Sequence, residues 1–323
     1  MKLAVSNLQR LAILDDYQGV TLGLGPWDRL PGLDKTVFQD TLADEDALVA
    51  RLLPFDGILA MRERTPFPES LLKRLPNLRL IMTTGERNRG IDAQACADAG
   101  IIFCGTPSFG APTVDLTWGL ILSLARRIPE QVAALHAGQW QTRIGVGLEG
   151  RTLGVVGLGK LGTRVARVGQ ALGMRVIAWS TNLTEQAATA AGVTRVDKAA
   201  LFEQADVVSL HLILSERSRG IVGAAEIAAM KSGAMLVNTS RGPLVDQPAL
   251  LEALHAGRIQ AGIDVFDVEP LPADHPLLAA PNTVLTPHLG YVTEENYRAY
   301  FAGAVEAIQA FNAGQPIRVI APG

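Results

Sequence analysis

Cysteine and long apolar runs are scarce in this sequence, and each shortage excludes a class of protein. Two cysteines, Cys96 and Cys104, are too few for a disulfide framework, and neither lies in a CxxC motif. No run of about 18 apolar residues is uninterrupted, which argues against a transmembrane helix. Lys2 is not followed by the apolar segment of a signal peptide, because Asn7 and Gln9 intervene. We therefore expect a cytoplasmic globular protein.

An excess of charge of one sign is also lacking. The 29 basic and 32 acidic side chains leave a net charge of −3, which provides no global field for nucleic acid. We expect neither a nucleic-acid nor a membrane partner. Apolar residues make up 48% of the 323 residues, enough to build buried cores. At about 100–200 residues per domain, the length predicts two domains.

Short apolar runs alternate with helical patterns along nearly the whole chain. The first series of predicted strands covers residues 11–14, 35–38, 57–61, 78–82 and 101–104, with helices at 44–53 and 68–75. The second series covers residues 152–156, 175–179, 207–211, 234–239, 260–265 and 283–287. This alternation predicts right-handed crossovers onto parallel sheets that are covered on both faces. We interpret the first ten residues as a flexible terminus rather than an additional strand.

Two longer helical patterns are also present, one between the two series of strands and one after the second series. The first is predicted from Thr113, as the N-cap, to about Arg127. The second begins at Thr293 and stops at Gly314. Its apolar residues recur at the spacing of one helix face, namely Tyr297, Phe301, Ala304, Val305, Ile308 and Phe311. The sequence thus predicts an α/β protein with two doubly wound parallel-sheet domains.

A glycine-rich motif, GLGKLG, directly follows the predicted strand at residues 152–156 and opens a helical pattern. In this context Gly157 would make the tight turn, Gly159 would let a pyrophosphate approach the backbone, and Gly162 would pack helix against strand. The alternative is an ordinary tight turn between a strand and a helix. The free N–H groups at the start of the helix favour a dinucleotide.

The next strand lacks the acidic residue that commonly binds the adenosine ribose about 20 residues further on. It is followed by Ser180, Thr181 and Asn182, and no carboxylate occurs before Glu185. The missing carboxylate removes the repulsion of a 2′-phosphate, which hydroxyl groups could bind, but no arginine stands there to anchor it. The choice between NAD and NADP stays open.

Polar residues at the ends of later strands are candidates for the chemistry, because ligands of open α/β sheets bind beyond the carboxyl ends of strands. Arg241 follows one strand, His288 ends another, and Asp264 interrupts an apolar strand with Glu269 just beyond it. A buried acid in such a strand is costly unless a partner or ligand satisfies it. The alternative is that Arg241 is a solvated charge and Glu269 a turn residue.

Four ordered motifs resemble those of the D-isomer-specific 2-hydroxyacid dehydrogenase family. They are GRTLGVVGLGKLG at residues 150–162, NTSRG at 238–242, GIDVFDVEP at 262–270 and TPHLG at 286–290. The resemblance implies a Rossmann cofactor domain, residues 111–292, inserted into a flavodoxin-like substrate domain, residues 1–110 plus 293–323. It also implies NAD or NADP as the cofactor and a homodimer.

The resemblance assigns three catalytic residues. Arg241 would bind the substrate carboxylate and polarise the carbonyl, His288 would protonate the carbonyl oxygen as hydride arrives, and Glu269 would pair with His288. The chemistry agrees, since an imidazolium is a suitable proton donor near neutral pH and an adjacent carboxylate favours that charged form. A glutamine in place of Glu269 would be typical of formate dehydrogenases, so that branch is not expected.

The predicted cofactor-binding residues come partly from the motif and partly from the resemblance, which places Asp264 on the nicotinamide side. They are Gly157, Gly159, Lys160, Leu161, Gly162, Ser180, Thr181, His211, Thr239, Ser240, Asp264 and Gly290. We expect no metal ligand.

Two loops of the first domain depart from the family pattern, and they are the predicted substrate contacts. They read MRERT at residues 61–65 and GERNRGID at 85–92, and their predicted contacts are Arg62, Gly85, Glu86 and Arg87. Four arginines against two glutamates in these loops predict an anionic substrate with a second acid or phosphate group. The alternative is that two or more arginines are solvated or paired locally.

The family resemblance leaves one functional alternative of another class. Some related proteins are corepressors that bind NAD(H) and respond with a change of protein partners, and they can retain the catalytic residues. We therefore expect an NAD(P)-dependent oxidoreductase for a D-2-hydroxy acid and its 2-oxo acid, with an NAD(H)-sensing protein of little turnover as the alternative.

Overall fold

The computed structural model describes residues 7–322, which form two compact units. One unit runs to Phe109 and includes the C-terminal segment from Val292, and the other is Gly110–Tyr291. The roles predicted for the two domains stay predictions at this point.

The strands and helices alternate along the chain. The strands are β1 (Arg10–Ile13), β2 (Asp34–Val37), β3 (Gly57–Ala60), β4 (Leu80–Thr83), β5 (Ile102–Gly105), β6 (Thr152–Val156), β7 (Arg175–Trp179), β8 (Thr194–Arg195), β9 (Val207–Leu210), β10 (Ala234–Asn238), β11 (Ile259–Ile263) and β12 (Thr283–Leu285). The helices are α1 (Thr21–Leu24), α2 (Glu45–Leu52), α3 (Glu69–Leu72), α4 (Ala93–Asp98), α5 (Ala111–Arg126), α6 (Ile128–His136), α7 (Lys160–Ala171), α8 (Glu185–Ala190), α9 (Lys198–Gln204), α10 (Ala224–Ala229), α11 (Gln247–His255) and α12 (Glu294–Asn312).

The first unit contains a five-stranded sheet with the order β2-β1-β3-β4-β5, in which all pairs are parallel. The order places β1 between β2 and β3. The chain therefore adds β2 on one side of β1 and then β3, β4 and β5 on the other side. The predicted apolar face of α12 is buried throughout. Its N-cap is Thr293, whose side chain accepts a hydrogen bond from the Asn296 amide.

The second unit contains a seven-stranded parallel sheet with the order β12-β11-β10-β9-β6-β7-β8. Successive residues of its strands face opposite cores, as the two-residue period of a strand requires. Val155 packs with α5 and α7 on one face, and Val156 packs with α9 and α11 on the other. Burial on both faces explains the uninterrupted apolar runs. The predicted fold class, two doubly wound parallel sheets, is confirmed.

Three local predictions were wrong. The helix α5 begins at Ala111 rather than at Thr113, because Pro112 suits the first turn, where no helical N–H partner is required. The strand β8 was missed, since its two exposed residues carry no apolar signal. Of the supposed flexible terminus, residues 1–6 lie outside the described residues, but Leu8 is buried and its amide donates to Asn312 Oδ1.

Within residues 7–322, no helix has both the length and the apolar character needed to cross a membrane. No group of three or more potential metal ligands comes together in that part of the chain.

Candidate active site

The glycine-rich turn joins β6 to α7 and is tight at two of its three glycines. Gly157 has φ +99°, and a Cβ there would lie 2.7 Å from the His211 carbonyl oxygen. A Cβ at Gly162 would collide with the Gly157 carbonyl oxygen. Gly159, by contrast, is exposed, and no heavy atom lies within 4 Å of its would-be Cβ.

This geometry fits a dinucleotide. The open side of Gly159 lets a pyrophosphate approach the backbone, while Gly157 and Gly162 have no room for a side chain. The helix α7 then begins at Lys160 without a side-chain cap, so its positive end is available to an anion. Lys160 and Leu161 begin this helix, and their predicted cofactor contacts stay predictions.

The residues after β7 flank the position expected for the adenosine ribose. Ser180 is half-buried, whereas Thr181 and Asn182 are exposed. The Lys198 ammonium lies 5.9 Å from the centre of the Trp179 ring and is paired with a carboxylate. The ribose contacts of Ser180 and Thr181 stay predictions.

His211 directly follows β9. This strand lies next to β6, and the order in which strands are added to the sheet reverses between the two. Its Nε2 lies 2.9 Å from Ser209 Oγ, and burial lowers the pKa of the imidazole to about 4. Among the described residues, its buried Nδ1 has no hydrogen-bond partner. A neutral imidazole with one unsatisfied nitrogen in the crevice suits a ligand contact, so His211 remains a candidate for the cofactor.

The loop after β10 carries Arg241 and is held from within. The Asn238 side chain donates to the Arg241 carbonyl oxygen at 2.8 Å and accepts from the Ser240 amide at 3.0 Å. Ser240 Oγ donates to the Leu210 carbonyl oxygen, and Thr239 Oγ1 lies 2.8 Å from Thr117 Oγ1. Both hydroxyls thus have protein partners, and their cofactor contacts stay predictions.

Asp264 lies just beyond β11 and is fully buried. Its Oδ1 accepts hydrogen bonds from Thr286 Oγ1 at 2.6 Å and the Leu289 amide at 2.7 Å. Its Oδ2 accepts from the Gly290 amide at 2.9 Å. Burial raises the pKa of the Asp264 carboxyl, whereas these bonds and the nearby His288 lower it. The carboxylate therefore holds the loop that carries His288, in addition to any contact with the nicotinamide side.

His288 has a left-handed backbone, with φ +53°. The distance from His288 Nδ1 to Glu269 Oε2 is 2.5 Å, and both side chains are more than four-fifths buried. Glu269 Oε1 accepts a second hydrogen bond, from the Phe266 amide at 2.9 Å. The edge-on ring of Tyr291 lies 5.4 Å from the imidazole. Nδ1 is thus engaged, and Nε2 is the nitrogen left for proton transfer.

The three predicted catalytic residues belong to one edge of one sheet. β10, β11 and β12 are neighbours in the sheet, so the loops that carry Arg241, Glu269 and His288 all leave from its carboxyl edge. A Cβ at Gly242 would collide with the backbone of Phe266, so the arginine loop packs directly on the loop that leads to Glu269. The arrangement combines a guanidinium, an imidazole and the carboxylate that pairs with the imidazole.

The predicted substrate residues lie in the first unit, at the ends of β3 and β4. Arg62 Nη1 donates to the Thr84 carbonyl oxygen at 3.0 Å, and its guanidinium lies over Gly85. The Gly85 amide donates to Thr106 Oγ1 at 2.9 Å, which engages this amide within the unit. Glu86 and Arg87 are exposed. Their contacts with substrate stay predictions.

Comparisons with known proteins agree with this geometry. The profile described as "D-isomer specific 2-hydroxyacid dehydrogenase, NAD binding domain" matches residues 118–290. The chain belongs to the D-isomer-specific 2-hydroxyacid dehydrogenase family. The expected family, the oxidoreductase class and a nicotinamide dinucleotide as cofactor are thereby confirmed, and the corepressor alternative receives no support.

Individual relatives carry related names. The chain is 37% identical over 283 residues to a D-3-phosphoglycerate dehydrogenase of Methanocaldococcus jannaschii, which covers 86% of this chain but only 51% of that protein. It is 37% identical over 272 residues to a hydroxypyruvate reductase of Thermotoga maritima, covering 82% of this chain and 87% of that one. A phosphoglycerate oxidoreductase structure from Vibrio cholerae O395 superposes with TM-score 0.91 and 42% identity, covering 95% and 100% of the two chains.

Sequence reasoning missed the residues that hold these groups in place. Asn238 and Thr286 lie within the quoted motifs but received no role, although they position the loops of Arg241 and His288. Thr113, which was expected to cap α5, instead donates its hydroxyl to the Gly290 carbonyl oxygen at 2.8 Å. The positions of Asn238 and Thr286 beside the candidate residues were visible in the motifs, but a hydroxyl or amide alone does not reveal its partner.

The buried imidazole of His211 predicts a specific loss of stability in acid. The unfolded chain binds a proton at His211 near the ordinary pKa of 6.5, whereas the folded chain does so only near 4. Stability therefore falls as the pH is lowered from 6.5 toward 4, by about 2 kcal/mol at pH 5. We expect urea unfolding at pH 7 and pH 5 to show that the free energy of unfolding falls less for His211→Gln than for the wild type, by about 2 kcal/mol.

The exposed His136 provides the control for this measurement. His136→Gln should retain the wild-type loss between the two pH values. Parallel curves for the wild type and His211→Gln would contradict a buried, neutral His211.

Proposed function

We propose that the chain transfers a hydride between the nicotinamide of NAD or NADP and C2 of a 2-oxo acid and its D-2-hydroxy acid. The observation that carries this proposal is the His288–Glu269 pair at 2.5 Å, beside the loop of Arg241. A carboxylate-paired imidazole and a guanidinium are what the reduction of a 2-oxo acid requires, because negative charge develops on the carbonyl oxygen.

In the reducing direction, the nicotinamide supplies the hydride that C2 receives. His288 Nε2 donates its proton to the carbonyl oxygen, so that this oxygen becomes a hydroxyl group on C2 and not an alkoxide. Glu269 accepts the Nδ1 hydrogen bond, which orients the ring. The neutral His288 accepts the proton again when the 2-hydroxy acid is oxidised.

Arg241 binds the substrate carboxylate in this proposal. Its planar guanidinium matches a carboxylate through two parallel hydrogen bonds, which also fixes the orientation of the neighbouring carbonyl. The Asn238 bonds to the Arg241 loop restrict the backbone from which the guanidinium extends. A positioned arginine therefore supports both binding and the alignment of C2 for hydride transfer.

The substrate is the finer part of the proposal. The relatives are named for phosphoglycerate and hydroxypyruvate, which share a carboxylate next to the reacting carbon. We propose an anionic substrate with a second acidic or phosphate group, bound by Arg62 and Arg87. Arg64 is 9% exposed and lies against the Tyr17 ring, which removes it from the set of arginines available to a ligand.

Turnover with purified protein tests the proposed reaction. NADH and NADPH, each with glyoxylate, hydroxypyruvate, pyruvate, oxaloacetate or phosphohydroxypyruvate, should reveal at least one pair that is consumed. His288→Ala should lower kcat by about 100-fold or more, because it removes the proton donor. Its affinity for the dinucleotide should remain that of the wild type.

The matched control is His255→Ala, an exposed histidine of α11 that should leave kcat unchanged. Tight dinucleotide binding without turnover of any acid in the panel would contradict the proposed reaction. Equal kcat values for His288→Ala and the wild type would remove His288 from it.

Inhibition by two substrate analogues tests the second anionic group. Arg62→Ala and Arg87→Ala should each raise the inhibition constant of a phosphorylated 2-hydroxy acid analogue by about tenfold or more, since each removes a charge-assisted hydrogen bond. Oxalate, which has no phosphate, should be affected less. Arg74→Ala is the control, because its guanidinium pairs with Glu45 and Asp46 at the surface. Equal effects on both inhibitors would contradict the proposal.

We also propose a homodimer that forms through the second unit and functions in the cytoplasm. The helix α6 has no buried residue, and its apolar side chains Ile128, Val132 and Leu135 are 45%, 49% and 56% exposed. Trp140 and Ile144 follow with 77% and 96% exposure. A continuous exposed apolar segment of this kind favours a protein interface, and a second copy supplies a matching one by symmetry.

Light scattering at micromolar concentration tests the homodimer. The wild type should have twice the chain mass, and Val132→Asp with Leu135→Asp should have the mass of one chain, because burial of two charges is unfavourable. Leu53→Asp, at an exposed apolar position of the first unit, should remain dimeric. A monomeric wild type would contradict the proposal.

A further inference from the structure

The ends of β1 and β3 are equivalent positions in the sheet of the first unit. Ile13 and Leu59 are register partners near the ends of these strands, and Asp15 and Arg62 each lie two residues beyond their strand. The order β2-β1-β3-β4-β5 makes the β1–β3 boundary the point where the connections diverge, and ligands of such sheets bind there. Asp15, which received no role from the sequence, thus neighbours the loop of a proposed substrate contact.

Both residues have a backbone that side-chain-bearing residues rarely adopt. The φ angles of Asp15 and Arg62 are +57° and +51°. Such left-handed residues persist only where surrounding contacts hold them, and they are frequent at ligand sites. Two of them at adjacent strand ends indicate that these loops are held by specific contacts.

The Asp15 carboxylate is the centre of those contacts. It is 1% exposed, its Oδ1 accepts from Thr41 Oγ1 at 2.5 Å, and its Oδ2 accepts from Thr65 Oγ1 at 2.8 Å. Thr41 follows β2 and Thr65 follows β3, so one side chain ties together the segments after three neighbouring strands. Burial raises the pKa of Asp15, and the two hydroxyl donors and the Arg64 charge lower it.

A second contact reinforces the same loop. Because Thr41 has one hydroxyl proton and donates it to Asp15, the Tyr17 hydroxyl must donate to Thr41 Oγ1, at 2.6 Å. The Arg64 guanidinium lies 5.6 Å from the centre of the Tyr17 ring. The segment 15–17 therefore contacts both Arg64 and Thr65, which follow Arg62 in the same turn.

The opposite side of the turn is held by Thr84, after β4. The Arg62 amide donates to Thr84 Oγ1 at 2.9 Å, and its guanidinium donates to the Thr84 carbonyl oxygen. The loop of Arg62 is thus fixed between Thr84 on one side and Asp15 on the other. Of the two, only Asp15 contributes a buried charge, whose loss leaves two hydroxyls without an anionic acceptor.

We propose that Asp15 is a positioning residue that holds the β3 loop so that Arg62 binds the substrate. It acts through Thr65 and not by touching the substrate, and the inference rests on the proposed role of Arg62. The same logic assigns Thr65 as the residue through which Asp15 acts, because its hydroxyl is the direct link from the carboxylate to the loop.

Steady-state kinetics of Asp15→Asn tests this role. The substitution keeps the shape but removes the charge, and the KM for the 2-oxo acid should rise about tenfold while kcat changes less than about threefold. The affinity for the dinucleotide should not change. Thr65→Val should reproduce the rise in KM, and Thr65→Ser, which retains the hydroxyl, should restore the wild-type value.

The double variant with Arg62→Ala separates positioning from general damage. If Asp15 acts through Arg62, Asp15→Asn adds no further increase in KM once Arg62 is absent. Fully additive effects, or an unchanged KM in Asp15→Asn, would overturn the inference. If Arg62→Ala itself leaves the KM unchanged, the proposed role of Arg62 fails and the inference fails with it.

Asp16→Asn is the matched control. Asp16 is equally buried, but its oxygens accept from the Val20 and Thr21 amides, which lie within its own segment and not in the loop of Arg62. It should lower the unfolding temperature without the rise in KM. If Asp15→Asn does not fold, the Thr65→Val and Thr65→Ser pair decides, because equal KM values for the two would overturn the inference.

Discussion

Asp264 accepts three hydrogen bonds from the segment between β12 and α12, and the geometry of the candidate active site depends on them. A fully buried carboxylate is costly, and here hydroxyl and amide donors offset that cost. The same bonds hold a loop in which His288 has a left-handed backbone. This loop carries the imidazole whose Nδ1 lies 2.5 Å from Glu269 Oε2, so the His288–Glu269 pair depends on one buried carboxylate that holds the loop.

The two sheets use the same principle in different ways. In each unit, the candidate functional side chains follow parallel strands at the carboxyl edge of the sheet. In the second unit, Gly159 leaves its backbone open to approach, and Asp264 anchors the loop of His288. In the first unit, Asp15 anchors the loop of Arg62. A buried carboxylate that accepts from hydroxyls recurs as the device that holds a loop.

The common location of the three candidate catalytic residues could be predicted because its signals are local. Arg241, Glu269 and His288 each lie in a short motif next to an apolar strand, and neighbouring parallel strands bring such loops to one edge. The sequence did not reveal in this way which arginines of the two loops in the first unit are exposed. Arg64 and Arg87 look alike in the sequence, yet one lies against the Tyr17 ring and the other is exposed.

The fold class could be predicted from the sequence alone, as could the positions of the candidate cofactor-binding turn and of the candidate catalytic residues next to predicted strands. Alternating apolar runs and helical periods, glycines at fixed spacing and polar residues at strand ends are properties of neighbouring residues. Which side chains hold the loops of these residues depends on tertiary contacts. The partners of Asp15 and Asp264 are 22 to 50 residues away in the chain, and no local pattern reveals which hydroxyl or amide such a buried carboxylate will meet.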